Sequence, residues 1–197
     1  MSEDMITLLA SAITALATLG SVWLGKKYLP ARSKNCLIKE TLKNTNVYTA
    51  LDFLRQEVEA DRAYIMEFHN GDHYFSGRGQ QKFSCTYESV EVGISIECEN
   101  SQNHRVSNYH SYIKEIIENG RFLYTNVLEI EDQGFLRMIR GKGVSAIYNV
   151  PIKTLNGKII GILGIDYVRS SPTEDLDTKD RFDFMRRQAR ILGGYLV

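Results

Sequence analysis

GKGVSAIYNVPIKTLNGKIIGILGIDYV, residues 141–168, places two apolar runs on either side of Asn156-Gly157. Both residues of an Asn-Gly pair tolerate the positive φ of a tight turn, so VSAIYNVPI and KIIGILGIDYV read as adjacent antiparallel strands. Ahead of them FLRMIRGKG reads as a short helix broken by Gly141 and Gly143. Further back, FLYTNV is a short strand, and Val106, Tyr109, Ile113 and Ile116 mark a helix stopped by Gly120 at its C′ position. After the hairpin, Phe182, Met185, Ala189, Leu192 and Leu196 keep helical spacing almost to the terminus.

Toward the N-terminus, RAYIMEFH alternates like a strand, and Lys82 to about Val90 reads as its neighbour. Between them FHNGDHYFSGRG, residues 68–79, reads as a connection longer than a hairpin needs, and a loop of that length is uncommon unless it has work to do. The expectation is a flexible basic lid over residues 70–82. VGISIE alternates like an edge strand before the polar loop ENSQNH, and Val47, Leu51, Leu54 and Val58 predict a helix from an Asn46 N-cap to about Ala60. This order describes an α+β domain over residues 47–197, an antiparallel sheet of about five or six strands covered by helices.

Gly143, Val144, Ser145, Val150, Pro151, Ile152, Gly157, Ile160, Gly161 and Leu163 together resemble the C-terminal half of a GAF domain, and the flanking elements follow in that family's order from residue 47 to 196. EFHNG, KFS and TYE, within residues 67–88, resemble a GAF-like group of small bacterial and phage proteins. The resemblance implies a sensory domain with a ligand pocket on one sheet face, beneath helices and connecting loops. It places that pocket near the strand ending in Glu88, the Asn126 segment and the Tyr148 strand. The Asn-Lys-x-x-Phe-x-x-x-Asp-Glu pattern of cyclic-nucleotide-binding GAF domains is missing. The helix with His110 lacks the cysteine to which bilin-binding members attach their chromophore.

The 24 basic and 24 acidic residues balance, so no global field recruits nucleic acid. Met5 to Gly25 runs for 21 residues without a charge, long enough to span a bilayer, with Trp23 and Tyr28 as interfacial anchors. Glu3 and Asp4 precede it, and Lys26, Lys27, Arg32 and Lys34 follow. That asymmetry argues against a cleaved leader and predicts a single-pass anchor over residues 1–29, N-terminus outside and the domain cytoplasmic. Residues 30–46 read as a polar linker that could hold a first helical turn or two. Ala17, Ser21 and Gly25 form a small-residue stripe on which two anchors could pair into a homodimer.

Cys36, Cys85 and Cys98 lack the spacing of a disulfide scaffold or a zinc site. His69 and His73 need a helix to share one face as a metal pair, and Asn70-Gly71 between them denies it, so no metal is expected. Gly77, Gly79, Ser76, Arg78 and Lys82 could cradle an anion, although no P-loop pattern occurs. The candidate ligand-binding set is therefore Asn70, Tyr74, Arg78, Lys82, Tyr87, Glu88, Asn126 and Tyr148. Asn149 and Asp166 are either pocket polars or sheet termini, and Tyr64 either stacks on a ligand or packs. No cofactor is identified. The reading is a membrane-anchored, non-catalytic module binding a small molecule, nucleotide-like in one version, and signalling through oligomer or partner contacts. The alternatives are a protein adaptor with a degenerate pocket and a cysteine-dependent enzyme similar to free methionine-(R)-sulfoxide reductase.

Overall fold

The computed structural model describes residues 36–169, 172 and 174–197, together with Met5, Thr14, Ala17 and Thr18. The chain divides into two compact units, Met1–Thr41 and Leu42–Val197. Among the described residues no helix is long and apolar enough to cross a membrane. The expected anchor Met5 to Gly25 lies outside them except for the four residues just named, and so do Ser21 and Gly25 of the small-residue stripe.

The elements run α1 (Cys36–Glu57), β1 (Arg62–His73), β2 (Gly79–Val90), β3 (His104–Arg105), a 3-10 turn (Val106–Tyr109), α2 (His110–Asn119), β4 (Phe122–Tyr124), a second 3-10 turn (Val127–Glu129), α3 (Gln133–Gly141), β5 (Ala146–Lys153), β6 (Ile159–Tyr167) and α4 (Lys179–Leu196). The strands form one antiparallel sheet in the order β3-β2-β1-β6-β5-β4. The expected α+β sheet of five or six strands is thus a six-stranded one.

Alternation in the central strands separates two cores. Ala63, Ile65, Leu163 and Ile165 face α1 and α4, packing with Val47, Leu51, Leu54, Met185 and Leu192. Tyr64, Met66, Ile147 and Ile162 face the other way, toward Tyr112, Ile116, Phe135 and Ile139 of α2 and α3. Asp132 links those two helices, its Oδ1 capping α3 at the Phe135 amide (3.0 Å) and its Oδ2 accepting from the Tyr112 amide (3.1 Å). Gly120 ends α2 with φ +69°, and Gly157 turns the β5–β6 hairpin with φ +84°, the two left-handed positions read from the sequence.

Three expectations are corrected. Residues 68–79 are not an overlong loop, because β1 continues to His73 and β2 starts at Gly79. The turn itself is only Tyr74 to Arg78, closed by the Tyr74 amide on the Arg78 carbonyl (2.8 Å), with Gly77 at φ +80°. VGISIE forms no strand; residues 91–103 are irregular and fold across the edge of the α2/α3 face. The first helix begins at Cys36 rather than Asn46, so the later part of the expected linker is helical. Along this helix Thr41 and Thr49 bond back to the carbonyls four residues earlier, which satisfies their hydroxyls.

Candidate functional site

On the α2/α3 face the sheet carries charge where an apolar core would be expected. Arg62 opens β1 wholly buried and lies directly across the ladder from Asp166 of β6, itself 3% exposed. Arg62 Nε donates to Asp166 Oδ1 at 2.8 Å, and its remaining nitrogens donate to the Lys142 carbonyl (3.0 Å) and the Ser95 carbonyl (3.3 Å). One guanidinium therefore ties β1 to β6, to the end of α3 and to the 91–103 segment. Burial pushes the Asp166 carboxyl up to about 6 despite the guanidinium beside it. Desolvation pulls on Arg62 too, but the Asp166 contact outweighs it and leaves Arg62 above its ordinary value.

A neutral relay sits beside this pair. Tyr64 hydroxyl donates to Asn149 Oδ1 (2.9 Å), and Asn149 Nδ2 donates to the Tyr112 hydroxyl (2.8 Å). Tyr112 stacks on Phe135, with centroids 3.7 Å apart and planes 11° from parallel. Burial pushes both phenols well up, so they act as neutral hydrogen-bonding groups.

Arg62, Asp166, Tyr64, Tyr112 and Phe135 line a small cavity of about 20 Å³ together with Cys85, Glu88, Glu97 and Lys142, with room for roughly one water. Its cover is the 91–103 segment. Glu88 Oε2 accepts from the Glu97 and Cys98 amides, both at 2.8 Å, Ser95 takes the Arg62 bond, and Ser101 Oγ meets Lys142 Nζ. Burial draws the Lys142 ammonium below its ordinary value. The cover is thus latched by the charged groups it hides.

Of the eight candidate residues, Glu88 lines this cavity. Tyr87, next to it in β2, points to the opposite face, donating to Asn44 Oδ1 of α1 (2.7 Å) and meeting Tyr48 edge-on. Tyr148 is wholly buried in that same α1/α4 core. Asn126 is exposed and caps a 3-10 turn through the Leu128 amide (3.1 Å). Asn70, Tyr74, Arg78 and Lys82 lie on the β1–β2 arm, where Arg78 sits over the Tyr74 ring at 4.8 Å and Gln81 donates to Asn70 (3.2 Å). His69 Nε2 meets Ser84 Oγ at 2.9 Å. Cys85 reaches the cavity through a bulge: Ile65 pairs Tyr87 but Met66 pairs Cys85, so Thr86 is extra and the two flanking side chains point opposite ways.

The GAF domain model matches residues 44–193. The chain belongs to the GAF family. No curated protein matches it. Among solved structures, this GAF domain is similar to the blue-light absorbing form of the PixJ GAF domain of Thermosynechococcus elongatus. The TM-score is 0.62 at 17% identity, with 84% of this chain and 89% of that chain covered. It is also similar to the GAF domain region of a protein named as a membrane protein in Geobacter sulfurreducens PCA (TM-score 0.59, 12% identity, 83% and 98% covered). A third similar structure is a domain named as part of a two-component sensor histidine kinase in Sinorhizobium meliloti 1021 (TM-score 0.51, 18% identity, 84% and 92% covered). At such identities the likeness concerns the fold.

Arg62, Lys142, Asn149 and Asp166 carry most of the polar chemistry here, and two of them carried a usable signal. Arg62 begins an apolar strand and Asp166 nearly ends another. Opposite charges inside two apolar strands are costly unless they meet, which predicts a pair.

Proposed function

We propose that this GAF domain is a non-catalytic sensory module whose signal enters at the Arg62/Asp166/Lys142/Glu88 cavity, with the 91–103 segment as its gate. The observation that carries the reading is the latching of that segment by the cavity's own charged groups. An apolar core of the same shape would be cheaper, and buried polar groups hold one arrangement only while fully satisfied. A small polar or zwitterionic molecule that pairs with Arg62 or Glu88 would compete with Ser95 and the Glu97 and Cys98 amides, and so release the cover. A nucleotide-sized ligand requires that release first, since about 20 Å³ cannot hold one.

The full chain, examined by native mass spectrometry and by melting against a panel of amino acids, carboxylates and nucleotides, should retain or respond to at least one compound, and Lys142→Ala should abolish the response. Complete absence of bound ligand and of any shift would sink the sensor reading and favour the adaptor, which predicts a stable partner instead. Phe53, Tyr48 and Ile191 stand exposed on α1 and α4, which gives output to a partner or a second copy an apolar surface.

The same proposal holds the domain at a membrane through Met5 to Gly25, on the strength of that uncharged run and the lysines after it. Deleting residues 1–29 is expected to move the protein from the membrane to the soluble fraction on carbonate extraction. Retention on membranes after the deletion would show another tether.

A further inference from the structure

Cys36 stands exposed on α1, whereas Cys85 lines the cavity and Cys98 lies beside it in the covering segment. Cys85 is 4% exposed and fixed by β2, while Cys98 is half-buried in the covering segment. Cys98 Sγ donates to the Cys85 carbonyl at 3.3 Å and Cys85 Sγ to the Tyr87 carbonyl at 3.4 Å, and the two sulfurs lie close enough to share a hydrogen bond when the Cys85 proton turns. The Gln102 side-chain amide donates to both backbone carbonyls, each at 2.7 Å, which clamps the two strands of chain side by side. Lys142 and Glu88 line the same cavity as Cys85, and their opposite charges act on both thiols, with Glu99 acting on Cys98 as well. The hydrogen bond from Cys85 draws the Cys98 thiol below its ordinary value, while that same bond and then burial push Cys85 up. Cys98, half-buried in the covering segment, is within reach of a small oxidant, whereas Cys85, buried in β2, is not, and that difference in access divides the roles of attacking and resolving cysteine.

We propose that Cys98 and Cys85 form a redox site in which hydrogen peroxide oxidises Cys98 and Cys85 resolves it to a disulfide, tying the 91–103 segment to β2. The Cys98 thiolate attacks one peroxide oxygen; an S–O bond forms, the O–O bond breaks, and the leaving hydroxide takes up the proton that Cys98 lost and departs as water. The Cys85 sulfur then displaces hydroxide from the sulfenic sulfur; the S–S bond forms, the S–O bond breaks, and the hydroxide leaves with the Cys85 proton as a second water. Two electrons pass from the sulfur pair to one peroxide. The covering segment, held in the reduced protein by the Glu88 and Arg62 latches, becomes covalently closed, whether or not the cavity takes a ligand.

The test treats the full-length Cys36→Ser chain with hydrogen peroxide, removes the peroxide with catalase, alkylates in denaturant so that the buried Cys85 is reached, digests without reductant and maps the peptides by mass spectrometry. A Cys85–Cys98 linked pair, lighter by two hydrogens and restored by dithiothreitol, is expected. In Cys85→Ser, Cys98 should stop at a sulfenic acid that dimedone traps, and in Cys98→Ser, Cys85 should remain an alkylatable thiol. Two results overturn the proposal: both thiols still alkylating after exposure that oxidises a free cysteine peptide in the same tube, or Cys98 advancing to sulfinic acid while Cys85 stays free. Because the pair is read directly in the Cys36→Ser chain, misfolding of a Cys85 or Cys98 variant would not obscure the outcome.

Discussion

Arg62→Met is expected to destabilise the fold by about 3–5 kcal/mol, because it strands the Asp166 carboxylate in an apolar interior without its counter-ion. For a chain of this length that corresponds to a melting point lower by roughly 10 °C. The same change removes the hydrogen bonds to the Ser95 and Lys142 carbonyls, so the covering segment loses an anchor as the sheet loses its buried pair. The pH dependence gives the pair a signature. Asp166 titrates near 6 when folded against 3.8 for the free side chain, so between those values the folded state holds more protons than the unfolded one. Its contribution is therefore greatest below pH ~4 and is lost as pH rises through about 6, a change on the order of 3 kcal/mol. Above that the native protein is flat with respect to this group.

In Arg62→Met the carboxyl is expected to move higher still, so the loss continues above pH 7, and urea unfolding at pH 7 and pH 8 should diverge more in the variant than in the native chain, whose Asp166 transition is then largely complete. Arg62→Met combined with Asp166→Leu should recover much of the stability and erase that slope, since a well-packed apolar pair avoids the desolvation cost altogether. A single-variant loss below about 1 kcal/mol, a size ordinary for a surface ion pair, would show that the two charges are not coupled in the buried way their geometry indicates.

Short-range rules were legible in the sequence and long-range ones were not. Asn156-Gly157 and Gly120 act through local backbone freedom, and both do in the structure what their residue types dictate. Residues 68–79 misled because two turn signals, Asn70-Gly71 and Gly77, compete in one stretch. The ladder pairs Asn70 with Gln81 and leaves only Gly77 in the left-handed region, so the earlier signal sits inside a strand. Lys82 packs over Gly71, whose missing side chain leaves it that space. Tyr87 and Glu88 were candidates for one pocket, yet neighbours on a strand face opposite sides, and alternation alone allows at most one of them there. Cys85 illustrates the converse. Simple alternation would put it on Tyr87's side, and only the extra residue Thr86 sends it to the cavity. A bulge is a property of the paired strands, so the single strand carries no mark of it. The start of α1 at Cys36 was hidden because its first turns expose Leu37, Ile38 and Leu42 and so lack the buried stripe from which a helix is read.

Gly164→Ala is expected to cost about 3 kcal/mol or more, although the residue it replaces sits mid-strand without an unusual φ. Gly164 pairs with Tyr64 on one side and Asn149 on the other, and the Tyr64–Asn149 hydrogen bond passes over its bare Cα. A Cβ built there would lie well inside 3 Å of Asn149 Oδ1 and of the Tyr64 ring. Neither group has room to retreat, being 0% and 7% exposed. Overpacking of this kind costs about 1–3 kcal/mol by itself. Displacing the relay leaves buried donors and acceptors unpaired at a further ~1–3 kcal/mol. Tyr64→Phe, which loses the hydroxyl and keeps the ring, should cost only that second part. The coupling can be isolated, since Asn149→Ala should be markedly less damaging in the Gly164→Ala background than in the native chain, the clash having already displaced what it removes. Strict additivity of the two changes in urea unfolding would mean that Gly164 is required for its backbone alone. The space above it would then have no part in aligning the Tyr64–Asn149–Tyr112 relay beside the cavity.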